Sequence, residues 1–114
     1  MKSIEGQDKV EEYFGYWPKF CDAKIEEFVL EPATKKIKIT IFYIDSDMGK
    51  KGRVVLIFNG TLNVQISDCL DENVVDEISI RKVKEGYSIG IVACYGLNGK
   101  FTCKSVSTSI EAVK

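Results

Sequence analysis

For most of its length this chain alternates hydrophobic and polar positions with a period of two. In Lys36-Ile37-Lys38-Ile39-Thr40-Ile41-Phe42-Tyr43 the residues Ile37, Ile39, Ile41 and Tyr43 share one face, and Lys36, Lys38 and Thr40 share the other. That predicts a strand with one wet face. Lys24–Leu30 predicts a weaker strand before it, with Glu31-Pro32-Ala33-Thr34 as the turn between them. Asp45–Gly52 predicts a polar loop. Arg53–Phe58 reads as a continuous apolar strand buried on both faces, and Asn59-Gly60 leads from it to Leu62, Val64 and Ile66 in alternation. Asp68–Glu77 is polar and predicts a loop or one helical turn. Ile78 and Ile80 open another strand, and Tyr87, Ile89, Ile91, Ala93 and Tyr95 carry the next. Only Gln7 to Phe14 departs from this rhythm: Val10, Tyr13, Phe14 and Trp17 recur at helical spacing opposite Asp8, Glu11 and Glu12. The helix is expected to start near Gly6 and stop near Gly15, because Trp17 precedes Pro18 and is steered toward extended geometry.

Near the C-terminus, Asn98-Gly99 between two strand-like runs predicts a two-residue type I′ hairpin. That register sets Phe101 over Gly96 and Cys94 opposite Cys103 on a non-hydrogen-bonded pair, where two thiols pack side by side and a disulfide is geometrically feasible. About seven short strands and one helix predict a β-dominated α+β domain, its consecutive strands pairing antiparallel and closing into a sandwich or a strongly bent sheet.

Composition narrows the function. The 114 residues fit one domain, 1–114. The longest apolar run, Val54–Phe58, is far short of the roughly 20 residues a bilayer needs, and the first residues lack the apolar core of a signal peptide. A cytoplasmic location is therefore expected. Sixteen basic against 17 acidic residues give a net charge of −1, which argues against nucleic acid or an anionic membrane as partner. There is no histidine, hence no His-based general base, Ser-His or Cys-His pair, or His-containing zinc site. No phosphate loop is present, and the four cysteines form no CxxC pair. These features favour a binding protein over an enzyme, and no cofactor is expected.

Two segments carry the candidate chemistry. Phe14 to Asp22 contains Phe14, Tyr16, Trp17 and Phe20. Phe14 and Phe20 suit a core plug at the end of the sheet, whereas Tyr16 and Trp17 suit partner anchors, since Tyr and Trp are enriched at binding hot spots. Cys21-Asp22 has no base to activate it. The second segment is acidic: residues 54–80 hold Asp68, Asp71, Glu72, Asp76 and Glu77 and no base at all. It reads as a solvated loop or as a surface steering a basic partner such as a nuclease domain. Its spacing lacks the order of a calcium-binding EF-hand loop, so a metal is the weaker option.

Phe14-Gly15-Tyr16-Trp17-Pro18-Lys19-Phe20-Cys21-Asp22-Ala23 resembles the N-terminal signature of the immunity protein 50 family of bacterial polymorphic toxin systems, an aromatic-Gly-x-Trp-Pro-x-Phe-His-Asp-Ala segment leading into the first strand. Val55-Leu56-Ile57-Phe58, Asn63-Val64-Gln65-Ile66, Asn73–Ile78 and Tyr95–Cys103 are similar to the family in order. Cys21 stands where the family pattern has His. The resemblance implies a cytoplasmic antitoxin that binds and blocks a cognate toxin domain without catalysis. A partner surface is then expected at Tyr16 and Trp17, with Asp68, Asp71, Glu72, Asp76 and Glu77 as its acidic steering face. The alternative is a small-molecule-binding β domain whose aromatic N-terminal segment lines a mouth between the sheets.

Overall fold

The computed structural model describes residues 4–113. One helix, α1 (Gln7–Phe14), precedes eight strands: β1 (Lys24–Glu31), β2 (Lys36–Asp45), β3 (Lys50–Asn59), β4 (Leu62–Ser67), β5 (Val74–Val83), β6 (Gly86–Tyr95), β7 (Asn98–Cys103) and β8 (Ser105–Val113). The helix occupies the residues its periodicity predicts. Gly15 ends it in the left-handed region, at φ 88°, and donates its N–H to the Glu11 carbonyl.

All eight strands form one antiparallel sheet in the order β4-β7-β6-β5-β1-β2-β3-β8. The sheet is unclosed and strongly bent, one of the two expected forms. Phe58 on β3 and Phe101 on β7 are five strands apart in that order, which a flat sheet would spread over about 24 Å. Their rings instead meet edge to face, with centroids 5.1 Å apart. The molecule is therefore two four-stranded leaves, β1-β2-β3-β8 and β4-β7-β6-β5, folded over a shared core. The seam between them is a single rung, Lys24 opposite Val74. Ile37, Ile39, Ile41, Val54, Leu56 and Phe58 fill the core from the first leaf, and Val75, Ile78, Ile89, Ile91 and Phe101 fill it from the second. Val10 and Phe14 of α1 close it from the side, as their helical spacing requires.

Several expectations need correction. Consecutive strands do not all pair. β4 follows β3 but joins β7, and β8 follows β7 but joins β3, so the chain crosses between the leaves at both places. Asp45–Gly52 is not a loop throughout: the turn is confined to residues 46–49, and Lys50–Gly52 pair with Asp45–Tyr43. Asp68–Glu77 likewise gives up its last four residues to β5. Arg53–Phe58 is buried on one face only. Val54, Leu56 and Phe58 point into the core, while Val55 and Ile57 sit half-buried on the outer side of the leaf. Thr40, expected on a wet face, is buried beneath Glu27, to which its hydroxyl donates at 3.3 Å.

The C-terminal hairpin is also wider than Asn98-Gly99 predicts. The register is Ile91 opposite Gly99, Ile89 opposite Phe101 and Tyr87 opposite Cys103, so Cys103 never meets Cys94 and Phe101 does not cover Gly96. Two polar side chains explain the shift. Asn98 uses its amide to hold a wide loop, accepting the Ala93 N–H at 3.0 Å and donating to the Gly96 carbonyl at 3.2 Å. Leu97 is fully buried, and its N–H is taken by Asn73 at 2.9 Å. All four cysteines are free thiols, with Cys103 buried and the other three exposed.

Candidate functional site

The register sorts the chain's charges onto the two ends of the strands. One end collects the turns at residues 32–35, 60–61 and 84–85 with Lys104, and it carries Lys35, Lys36, Lys82, Lys84 and Lys104 against Glu31 and Glu85. The other end, about 30 Å away along a ten-residue strand, collects the segment 15–23, the turn at 46–49, the loop at 68–73 and the wide β6–β7 loop. All seven residues singled out from the sequence lie at this second, acidic end.

The segment between α1 and β1 is fastened across the acidic end by its backbone. The Lys19 carbonyl accepts from Ile78 at 3.0 Å, Asp22 N–H donates to Val75 O at 2.8 Å, and Val75 N–H donates to Ala23 O at 2.8 Å. To turn so sharply, Phe20 and Asp22 both take left-handed geometry, at φ 65° and 64°. For Asp this is a tolerated conformation; for Phe it is uncommon and is held by packing. Phe20 is fully buried and meets Tyr43 and Trp17 edge to face, at 5.6 and 6.0 Å between centroids. Phe14 meets Tyr43 in the same way at 5.2 Å. Phe14 and Phe20 thus form the expected plug, and Trp17 lies half-buried against it.

Tyr16 remains 42% exposed, yet its hydroxyl is turned inward. It donates to Asp45 Oδ2 at 2.8 Å and shares a 2.7 Å hydrogen bond with the Tyr43 hydroxyl. Burial, followed by these two hydrogen bonds, pushes the Tyr16 phenol well above its ordinary value of 10.0. Asp45 is itself buried, and its other oxygen accepts the Met48 N–H at 3.2 Å. Tyr16, Cys21, Asp22, Tyr43, Asp45 and Asp47 line an open cleft of about 430 Å³ in which three carboxylates face no lining cation.

Asp22 joins this cleft to the acidic part of β5. The Cys94 sulfur lies 4.0 Å from both Asp22 Oδ1 and Asp76 Oδ1, and 3.7 Å from the Val75 carbonyl. The charge of Asp22, then burial and the charge of Asp76, raise the Cys21 thiol pKa. Burial, then the charges of Asp76 and Asp22, raise that of Cys94. Both thiols are therefore held in the protonated, poorly nucleophilic form. Among the described residues no group of three or more Cys, Asp or Glu side chains is arranged to hold a metal ion.

The other acidic residues are placed as follows. Asp68 is exposed just beyond β4, in left-handed geometry at φ 59°. Asp71 and Glu72 are exposed on the loop, with Glu72 3.7 Å from Lys24 Nζ. Asp76 and Glu77 belong to β5 and not to the loop. That loop is organised by Asn73, whose buried amide accepts from Leu70 N–H at 3.0 Å and Leu97 N–H at 2.9 Å and donates to Leu70 O at 2.9 Å. Sequence reasoning missed Asp45, although continuing the inward parity of Ile37–Tyr43 by one step places it beside Tyr43. It also missed the hydrogen bonds of Asn73 and the placing of Cys94 between Asp22 and Asp76, for which the pattern holds no signal.

Compared with known proteins, the chain matches the profile of a family described as Immunity protein 50 over residues 6–114. It is similar in structure to the crystal structure of an uncharacterized protein from Neisseria gonorrhoeae, at a TM-score of 0.54 and 16% identity, over 78% of this chain and 91% of that one. At that identity the likeness is one of fold. None of the curated proteins matches it.

Proposed function

The chain belongs to the immunity protein 50 family, and from that premise we propose that it acts as a cytoplasmic antitoxin, binding a cognate bacterial toxin domain one to one and blocking it without catalysis of its own. The observation that carries this reading is the family match over residues 6–114. The gathering of Tyr16, Trp17, Asp68, Asp71, Glu72, Asp76 and Glu77 at one end of the sheet supports it, because an acidic face steers a basic partner and speeds encounter. A nuclease domain is such a partner.

The test is co-expression with the toxin domain encoded beside this gene, followed by pull-down. Restored growth and a one-to-one complex are expected. Cell death with no complex would remove the proposal. Charge reversal at Asp71 and Asp76 is expected to slow association several-fold at low salt and much less at high salt, and a rate indifferent to salt would remove the steering role.

A further inference from the structure

Resting on the antitoxin reading, we infer that the docking face is centred on paired bulges of β5 and β6, with Tyr95 and Val92 as its apolar anchors, and that it receives a toxin surface rimmed by lysine and arginine. Tyr95 is 58% exposed and Val92 53% exposed, whereas the Tyr16 hydroxyl is committed inward and Trp17 lies against Phe20. The register explains why two such side chains are left in solvent. Tyr95 pairs with Val74, Ala93 with the buried Val75, and Val92 with Glu77. The rows Tyr95–Val74 and Val92–Glu77 therefore flank an inward row and share the outer face, about 7 Å apart. Between them each strand carries one extra residue, Asp76 on β5 and Cys94 on β6. Bulges of this kind bend a strand and re-aim its side chains, and they gather beside binding sites.

The rim around this centre is acidic. Asp22 and Asp76 flank the Cys94 sulfur at 4.0 Å, Glu77 pairs with Val92, and Glu72 reaches over to Lys24, which is the rung next to Val74. Against these four carboxylates stand Lys24, already paired with Glu72, and Lys19, whose carbonyl is bonded to Ile78. An exposed aromatic and aliphatic pair inside a charged rim is the layout of an interface hot spot, and the sign of the rim selects a basic partner. The basic end also exposes apolar side chains, Leu62 and Val83, but two lysines, Lys84 and Lys104, against one carboxylate, Glu85, give their surroundings the opposite sign.

The experiment measures binding of the full chain to the toxin domain encoded beside its gene. Tyr95→Ala and Val92→Ser are each expected to raise Kd by about 30-fold, and Asp76→Lys to slow association by about threefold at low salt. Leu62→Ser and Val83→Ser, at the opposite end, are expected to stay within about twofold. Thermal melting confirms that each variant is folded. The unaltered chain gives an independent reading: N-ethylmaleimide, at mildly alkaline pH to offset the raised thiol, should modify Cys94 in the free protein and not in the complex. If the wild type binds while both anchor variants keep its affinity and Cys94 still reacts, the face is wrong and the antitoxin reading stands. A wild type that neither binds nor protects overturns the antitoxin reading, and this face with it. If the free chain is a dimer that already hides Cys94, the face belongs to a second copy and the proposal is overturned.

Discussion

The two ends of the sheet are made by the same strands, yet they hold their connections by different means. At the basic end the links are short and secured by backbone: Thr61 N–H to Lys35 O at 3.0 Å, Lys104 N–H to Asn59 O at 2.8 Å, and a tight return from Val83 to Gly86. The acidic end has longer, irregular links: the segment 15–23 is also fastened by its backbone, but the stray backbone groups of the other three are taken up by buried or half-buried side chains, namely Asn73, Asp45 and Asn98. Irregular backbone cannot satisfy itself throughout as a ladder does, so a buried N–H or carbonyl left without a backbone partner needs a side chain. An end built of irregular links needs polar side chains in its interior, and a simple hairpin end does not. The contrast between the two ends also shows why the net charge of −1 is a poor guide to this molecule. Beyond the local pairs of Lys24, Lys38 and Arg53 with glutamates, the excess charge of one end opposes that of the other, and the sum conceals it.

The sharpest way to break the acidic end is to remove its plug. Phe20→Ala empties a fully buried site between Tyr43 and Trp17, and a loss of about 3–5 kcal/mol is expected in denaturant unfolding. Asn73→Ala should cost about 2–4 kcal/mol, because it removes three hydrogen bonds and leaves the N–H of buried Leu97 without its acceptor. A comparable loss from Lys84→Ala at the basic end would erase the contrast, since an exposed surface change should stay within about 0.5 kcal/mol.

Tyr16→Phe should act through pH. The folded phenol is raised above its unfolded value of 10.0, so the unfolded chain loses its proton first as pH climbs. The stabilisation is fully present below pH 10 and declines above it. Melting temperatures of the wild type should therefore fall more steeply than those of Tyr16→Phe above pH 10. Parallel curves would mean that the Tyr16–Asp45 contact contributes nothing to that fall. The mildest probe is thiol titration with an aromatic disulfide. Cys21, Cys69 and Cys94 should react in the native state, and Cys103, buried and with its pKa pushed up to about 11, only on unfolding.

What the sequence made legible was whatever repeats locally. Val10, Phe14 and the two glycines located α1, and the inward run from Ile37 to Tyr43 located the core face of β2. The positions that escaped depend on partners distant in the chain. Leu97 is fixed by Asn73 and Asp22 is fastened to Val75, while β4 and β8 each pass over the nearest strand to pair with another. Periodicity carries no information about such choices. At the candidate site the residue types were legible, Tyr16 and the run Asp68–Glu77 above all. The arrangement was not: paired bulges turn Tyr95 outward just where strict alternation would have continued inward from Ile91 through Ala93.

The crossing of β4 and β8 between the leaves bears on how the chain assembles in time. β1, β2 and β3 form one run of near-neighbour pairings and β5, β6 and β7 another, and each can zip up from its own turns. Neither leaf is complete on its own, since the first waits for a strand that follows β7 and the second for a strand that precedes β5. The helix waits longest. It packs against β8, and the segment before it pairs there too, Glu5 bonding to Val106 and Thr108 across nearly the whole length of the chain. During synthesis, then, Val10 and Phe14 have no finished site to enter until β8 has left the ribosome. The helix, first in the chain, is thus among the last parts of the molecule to reach its finished surroundings.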